Sequence, residues 1–144
     1  MEQKHYFITG GMGCIGAWVI RNLVQAGVQV TVFDLSTDRH RLELIMSQEE
    51  IARATFVHGD LTDTTAVTQT VTHSGATHII HLAALQVPFC KTNPPLGAAV
   101  NVVGTVNVFE AAKKAGIPQV VYASSVAVYG RKDEYPSPLL PHDA

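Results

Sequence analysis

The chain has 144 residues, which suits one folded domain and leaves little room for a second. Hydrophobic residues make up 47% of it and charged residues only 15%, which excludes the polar, highly charged composition of a disordered chain. Ten Lys and Arg against twelve Asp and Glu give a formal net charge of −2 with no dense basic patch, so the electrostatic footprint of a nucleic-acid binder is missing.

Met1 to Lys4 leads directly into an apolar run, His5 to Thr9, that reads as a first strand with no signal peptide before it. No apolar stretch approaches the roughly 20 residues of a membrane span, so a cytoplasmic protein is expected. The strand is followed at once by Gly10-Gly11-Met12-Gly13-Cys14-Ile15-Gly16. Gly11, Gly13 and Gly16 satisfy G-x-G-x-x-G, while Gly10, Gly13 and Gly16 satisfy G-x-x-G-x-x-G, and both spacings belong to dinucleotide sites. Glycine is needed where the chain turns tightly, touches a pyrophosphate and packs the next helix on the sheet. That helix begins near Cys14 and points its unpaired amides at the anion.

Ile15, Val19, Leu23 and Ala26 predict the buried stripe of this helix, with Gly27 as its stop. The second strand, Gln29 to Phe33, ends at Asp34, eighteen residues after Gly16. An acid there accepts hydrogen bonds from a ribose diol and repels a 2′-phosphate, which favours NAD over NADP. A charged helical segment, Arg39 to Glu50, leads to a third strand, Thr55 to His58, which closes in Gly59-Asp60. A helix from Asp63 to His73, a strand from Thr77 to Leu82, a long helix from about Pro95 to Ala115 and a strand from Gln119 to Ala123 complete the pattern. Strands alternating with helices predict a doubly wound parallel sheet, a Rossmann fold cut off after its fifth strand. Residues 1–130 form this domain, and 131–144, with Pro136, Pro138 and Pro141, form an irregular tail.

The long helix is apolar on one face through Leu96, Val100 and Val103, and on another through Val102, Val106 and Phe109. Cover on both sides is expected, most simply from a second copy of the chain. The fifth strand is a second apolar edge that invites pairing. Cys14 and Cys90 have neither a disulfide nor a metal spacing and read as free thiols, Cys14 packing as a small side chain under the loop. His78 and His81 come closest to a metal pair, but an odd separation on a strand puts them on opposite faces, so no metal site is expected.

Thr9 to Gly16, Asp34, Gly59-Asp60-Leu61, His81-Leu82-Ala83-Ala84, Asn101 to Thr105 and Tyr122 to Gly130 together resemble the N-terminal part of an extended short-chain dehydrogenase/reductase. The similarity is to its NAD-dependent sugar epimerase/dehydratase group. It implies that Gly10, Gly11, Gly13, Cys14, Ile15 and Gly16 hold the pyrophosphate, Asp34 the ribose, and Asp60 and Leu61 the adenine. It places Ala83, Ala84 and Asn101 beside the cofactor and identifies Ser125 with the family's catalytic serine. The family's Tyr-x-x-x-Lys pair is absent: Tyr6, Tyr122, Tyr129 and Tyr135 are followed four residues later by Gly10, Val126, Asp133 and Leu139. The sugar-binding C-terminal part is absent too, so the chain is expected to bind NAD without being catalytically competent alone. Gln86 stands where the UDP-galactose epimerase subgroup usually has lysine. Two other readings fit parts of the pattern, a non-catalytic NAD-binding or sensing module and an S-adenosylmethionine methyltransferase. Gly16 and Ser124-Ser125 speak against the methyltransferase.

Overall fold

Side chains alternate across a strand, so an apolar run such as Tyr6-Phe7-Ile8 feeds two cores at once. The computed structural model describes residues 4–129, and the predicted tail and the first residues of the N-terminus lie outside them. Five parallel strands, β1 (His5–Thr9), β2 (Gln29–Asp34), β3 (Thr55–His58), β4 (His78–His81) and β5 (Val120–Tyr122), pair in the order β3-β2-β1-β4-β5. Ile8, Val30 and Val32 pack under α1 (Cys14–Gln25), α2 (His40–Glu43) and α3 (Gln48–Ile51). Phe7, Phe33 and Ile79 pack on the other side against α4 (Thr64–Ser74) and α7 (Gly104–Lys114). Each fully buried Phe or Ile contributes about 1.5–3 kcal/mol of transfer free energy.

The expected doubly wound parallel sheet is present, and four of its elements differ in detail. The buried face of α1 is Gly16, Ala17, Ile20 and Val24, whereas Ile15 is 65% exposed. Gly16 lies so close to the loop that a Cβ there would meet the Gly10 carbonyl oxygen at 2.4 Å. The helix thus lies close against the loop, so that of the expected stripe Val19 and Leu23 are half-buried and pack beside this face, while Ile15 and Ala26 are exposed. The single helix expected over 39–50 is two, because Ser47 and Glu50 form a capping box that starts α3 afresh.

A helix absent from the sequence reading, α5 (Val87–Thr92), precedes α6 (Pro94–Ala98). Asn93 separates them, and its side chain accepts from the Leu96 amide at 3.2 Å. From α6 the chain passes through a π-helical turn, Ala99–Val103, into α7. The predicted long helix is thus three segments with a widened turn in the middle.

Gly27, Gly75 and Gly116 end α1, α4 and α7 with φ of 74°, 68° and 70°, and each has open space where a Cβ would stand. At α1 the Gly27 amide donates to Val24 and the Val28 amide to Leu23, both at 3.0 Å, the paired bonds of a Schellman ending. Leu96, Val102, Val103, Val106 and Phe109 remain exposed along the α6 to α7 ridge, as do Val121 and Tyr122 on β5.

Candidate functional site

The strand order reverses between β1 and β4, and the crevice at the carboxyl ends of the strands opens there. Gly10 turns the chain out of β1 at φ 73°, with its missing Cβ only 2.6 Å from the Ala83 amide nitrogen. No other residue type fits between these two strand ends. The N-cap of α1 is Gly13, extended at φ −73° and ψ 169°, without a side-chain cap and with no acidic residue in the first turn. The first amides of the helix, at Cys14, Ile15 and Gly16, therefore face outward without a carboxylate competing for them. Cys14 is exposed, which corrects the expectation that it packs under the loop.

Asp34 ends β2 half-buried. One carboxylate oxygen accepts from the Met12 amide and the other from the Ser36 amide, both at 2.9 Å. The Arg41 guanidinium donates to the Met12 carbonyl at 3.3 Å. Met12 is 6% exposed, so its backbone is fixed from both sides while its side chain enters the core. This anchoring of the glycine loop escaped the sequence reading, because Met12 carries no chemistry of its own.

Asp60 is exposed and accepts from the Thr62 amide at 2.8 Å. Leu61 is buried, and its carbonyl accepts from Asn107 Nδ2 at 2.8 Å, while Asn107 Oδ1 accepts from the Thr64 hydroxyl at 3.0 Å. Phe33, Asp34, Leu35, Gly59, Asp60, Leu61, Ala83, Leu85 and Val100 enclose a mainly apolar cavity of about 150 Å³. A second cavity of about 760 Å³ is lined by Ala84, Leu85, Gln86, Val87, Cys90, Lys91, Pro94, Asn101, Ala123, Ser124, Ser125 and Ala127. Leu85 is common to both.

Asn101 sits in the π-helical turn and bonds both backbone groups of Leu85, with its Nδ2 also donating to Cys90 Sγ at 3.4 Å. Its Oδ1 accepts from the Leu85 amide at 2.7 Å and its Nδ2 donates to the Leu85 carbonyl at 2.9 Å. Ser125 is exposed beyond β5, and its Oγ accepts from the Ala127 amide at 3.1 Å. The structure thus brings Asp34, Asp60, Leu61 and Ala83 to one cavity and Ala84, Asn101 and Ser125 to the other, with the glycine loop beside the first. His78 stacks on Tyr6 with ring centroids 4.7 Å apart, away from His81. His81 is 5% exposed, and burial lowers its pKa below the ordinary histidine value. Its Nδ1 lies 2.6 Å from Thr9 Oγ1 and its Nε2 3.0 Å from Thr105 Oγ1. Leu85 and Asn107 carry no signal in the sequence, Val100 reads there only as part of a helix face, and Thr9 and Thr105 only as ends of the family segments; their types are common and their partners distant in the chain.

Among the described residues no group of three His, Cys, Asp or Glu side chains could hold a metal ion, and no helix is long and apolar enough to cross a membrane. Residues 6–142 match the sequence profile of the NAD dependent epimerase/dehydratase family. A UDP-glucose 4-epimerase of Mycolicibacterium smegmatis is 38% identical over 133 residues, covering 90% of this chain and 42% of that protein. Human 3 beta-hydroxysteroid dehydrogenase type 7 is 36% identical over 132 residues, covering 90% of this chain and 34% of its own length. Among solved structures, Bordetella bronchiseptica WbmG in complex with NAD and UDP superposes with a TM-score of 0.75 at 27% identity, covering 90% of this chain and 40% of WbmG. The chain therefore spans well under half the length of these relatives. A profile match over nearly its whole length, on a five-stranded parallel sheet with the glycine loop at the switch point, places the chain in the NAD dependent epimerase/dehydratase family.

Proposed function

We propose that this chain is the dinucleotide-binding portion of an enzyme that acts on a nucleotide sugar, with NAD preferred to NADP. The observation that carries this reading is the convergence of the uncapped start of α1, the Asp34 carboxylate and the Asp60-Leu61 turn around one crevice. The amides of Gly11, Cys14, Ile15 and Gly16 hold the pyrophosphate, while the Gly13 amide, donated to the Gly10 carbonyl at 3.1 Å, and the close packing at Gly10 fix the loop. Asp34 keeps lone pairs beyond its two backbone bonds, and these accept from the ribose diol. Leu61, Ala83, Leu85 and Val100 supply the apolar walls for the adenine, with Asp60 at the rim to receive its amine.

The second, larger cavity takes the nicotinamide end and the sugar nucleotide. Ser125 hydrogen-bonds the reacting sugar oxygen there, and Asn101 holds the shared wall by way of Leu85. Bound NAD supplies hydride chemistry; this chain's own residues bind, orient and exclude water. No tyrosine here has lysine four residues on, so these 144 residues bind cofactor without turnover. The same absence keeps the non-catalytic binding module as a second reading. A gene that continues into Tyr-x-x-x-Lys decides for the enzyme.

The test is a fluorescence titration with NADH and NADPH on the full chain. NADH is expected to bind more tightly, and Asp34→Ala to weaken NADH about tenfold, the loss of one or two charge-assisted hydrogen bonds. Equal affinity for both cofactors in the unaltered chain removes the NAD preference, and no binding of either removes the reading.

A further inference from the structure

His81 is a buried titratable group with no part in the proposed chemistry, and for a neutral imidazole its hydrogen bonds leave only one arrangement of protons. Thr105 Oγ1 lies 2.8 Å from the Asn101 carbonyl, which can only accept, so the hydroxyl proton is spent there. The 3.0 Å contact between Thr105 Oγ1 and His81 Nε2 then requires the proton on Nε2. Nδ1 is bare and accepts the Thr9 hydroxyl at 2.6 Å, which leaves the Thr9 oxygen to accept the Ala83 amide at 3.4 Å. A single directed chain runs from Ala83 through Thr9, His81 and Thr105 to Asn101. Its two ends are the residues that hold the wall between the cavities: Ala83 forms it, and Asn101 clamps Leu85 on either side of the peptide.

We propose that His81, as the neutral Nε2–H tautomer, is a positioning residue that locks the Ala83 to Leu85 wall to the π-helical turn, and that protonating it frees the wall and weakens dinucleotide binding. An imidazolium carries a proton on both nitrogens. Thr9 would then face a donor with its own proton, and would have to turn that proton away and receive Nδ1–H and the Ala83 amide together. The groups bonded to the His81 ring are Thr9 of β1 and Thr105 of α7, with the Asn101 carbonyl of the π-helical turn behind Thr105, none of them ionisable. Tyr122 is the registered neighbour of His81 on β5, and the lowered pKa of His81 comes from its burial. Among the described residues no carboxylate bonds either ring nitrogen, so a buried cation here is unpaired and the hydrogen-bonded chain opens rather than adapts.

The binding half of this proposal rests on the dinucleotide reading above; the tautomer and the wall do not. Long-range proton–nitrogen correlation spectra of the full chain, labelled at histidine, are expected to show His81 as Nε2–H at neutral pH and still neutral when exposed histidines have titrated. An Nδ1–H tautomer overturns the proposal. Amide exchange protection factors at Ala83 and Leu85 are expected to fall about fivefold once His81 protonates, and NADH affinity by a similar factor, the worth of one lost hydrogen bond. In His81→Gln, which donates toward Thr105 but gains no proton, both quantities are expected to be flat across that range. Thr105→Val, which leaves the imidazole titratable but removes its Nε2 partner, is expected to lower the protection factors already at neutral pH. Protection factors that fall equally in the wild-type and His81→Gln chains overturn the lock. Absence of NADH binding at every pH brings down the dinucleotide reading alone, and the protection factors still decide.

Discussion

Asp34 is bonded twice within its own chain before any ligand arrives, to the amides of Met12 and Ser36. One carboxylate therefore shapes the glycine loop and offers its remaining lone pairs to the crevice. The glycines and Asp34 were legible because their chemistry follows from residue type and spacing. Thr9, Thr105 and Asn107 were not, since a threonine in a strand and an asparagine in a helix acquire meaning only from partners such as His81 and Leu61, far away in sequence. Titration follows from the same burial. His5, bonded to Thr31 at 2.9 Å, and His81 both have pKa values lowered by desolvation. The unfolded chain then binds protons more readily than the folded one. Their stabilisation is complete above the unfolded histidine value of about 6.5 and is lost as pH falls from there toward the folded values. Urea denaturation is expected to give a lower midpoint at about pH 5.5 than at about pH 7.5, with a smaller difference in His81→Gln. A midpoint that is equal or higher in acid contradicts this.

Elements depart from their sequence signals where a neighbour imposes a contact. Periodicity placed α1 and the edge of its buried face, Val19 and Leu23, but not the centre of that face, where Gly16 packs against Gly10 and Gly11 beside Ile20 and Val24. The capping box of Ser47 and Glu50 was readable in principle and was hidden by the charged run around it. The π-helical turn has no local signature at all. It widens the helix where Asn101 reaches Leu85, and such turns recur at functional sites. Helix α7 also holds the turn after β3 through Asn107, which is 5% exposed. Asn107→Leu leaves the Leu61 carbonyl without its donor in a buried place and is expected to cost about 1–3 kcal/mol. The measurement is the change in unfolding free energy, and a neutral substitution would show that the turn is held by packing alone.

For the whole molecule, the alternation of strands and helices was enough to give the parallel sheet, since the period changes from two to 3.6 residues are strong over long segments. The surface left open is another matter. Phe109 stands on the α7 ridge at 40% exposure, edge-on to Tyr122 of β5 with ring centroids 5.7 Å apart, so ridge and sheet edge form one continuous apolar surface. Large patches of this kind are covered in stable proteins. The chain is expected to associate with itself through this surface, and sedimentation of Val106→Glu combined with Phe109→Glu is expected to give the monomer. A wild-type chain that stays monomeric at its highest soluble concentration argues against self-association.

Six glycines sort by the two ends of the strands under different rules, whereas Gly10 is left-handed and crowded at once. At Gly27, Gly75 and Gly116, below the sheet, nothing stands within 4 Å of a missing Cβ, so what reserves these places for glycine is handedness. At Gly11, Gly16 and Gly59, above the sheet, neighbouring atoms lie within 3 Å, and what reserves them is space. Asparagine, which tolerates the left-handed region, can serve below and has no room above. The helix endings are open to sequence drift in a way the crevice is not, and that asymmetry runs along the strands from amino to carboxyl ends.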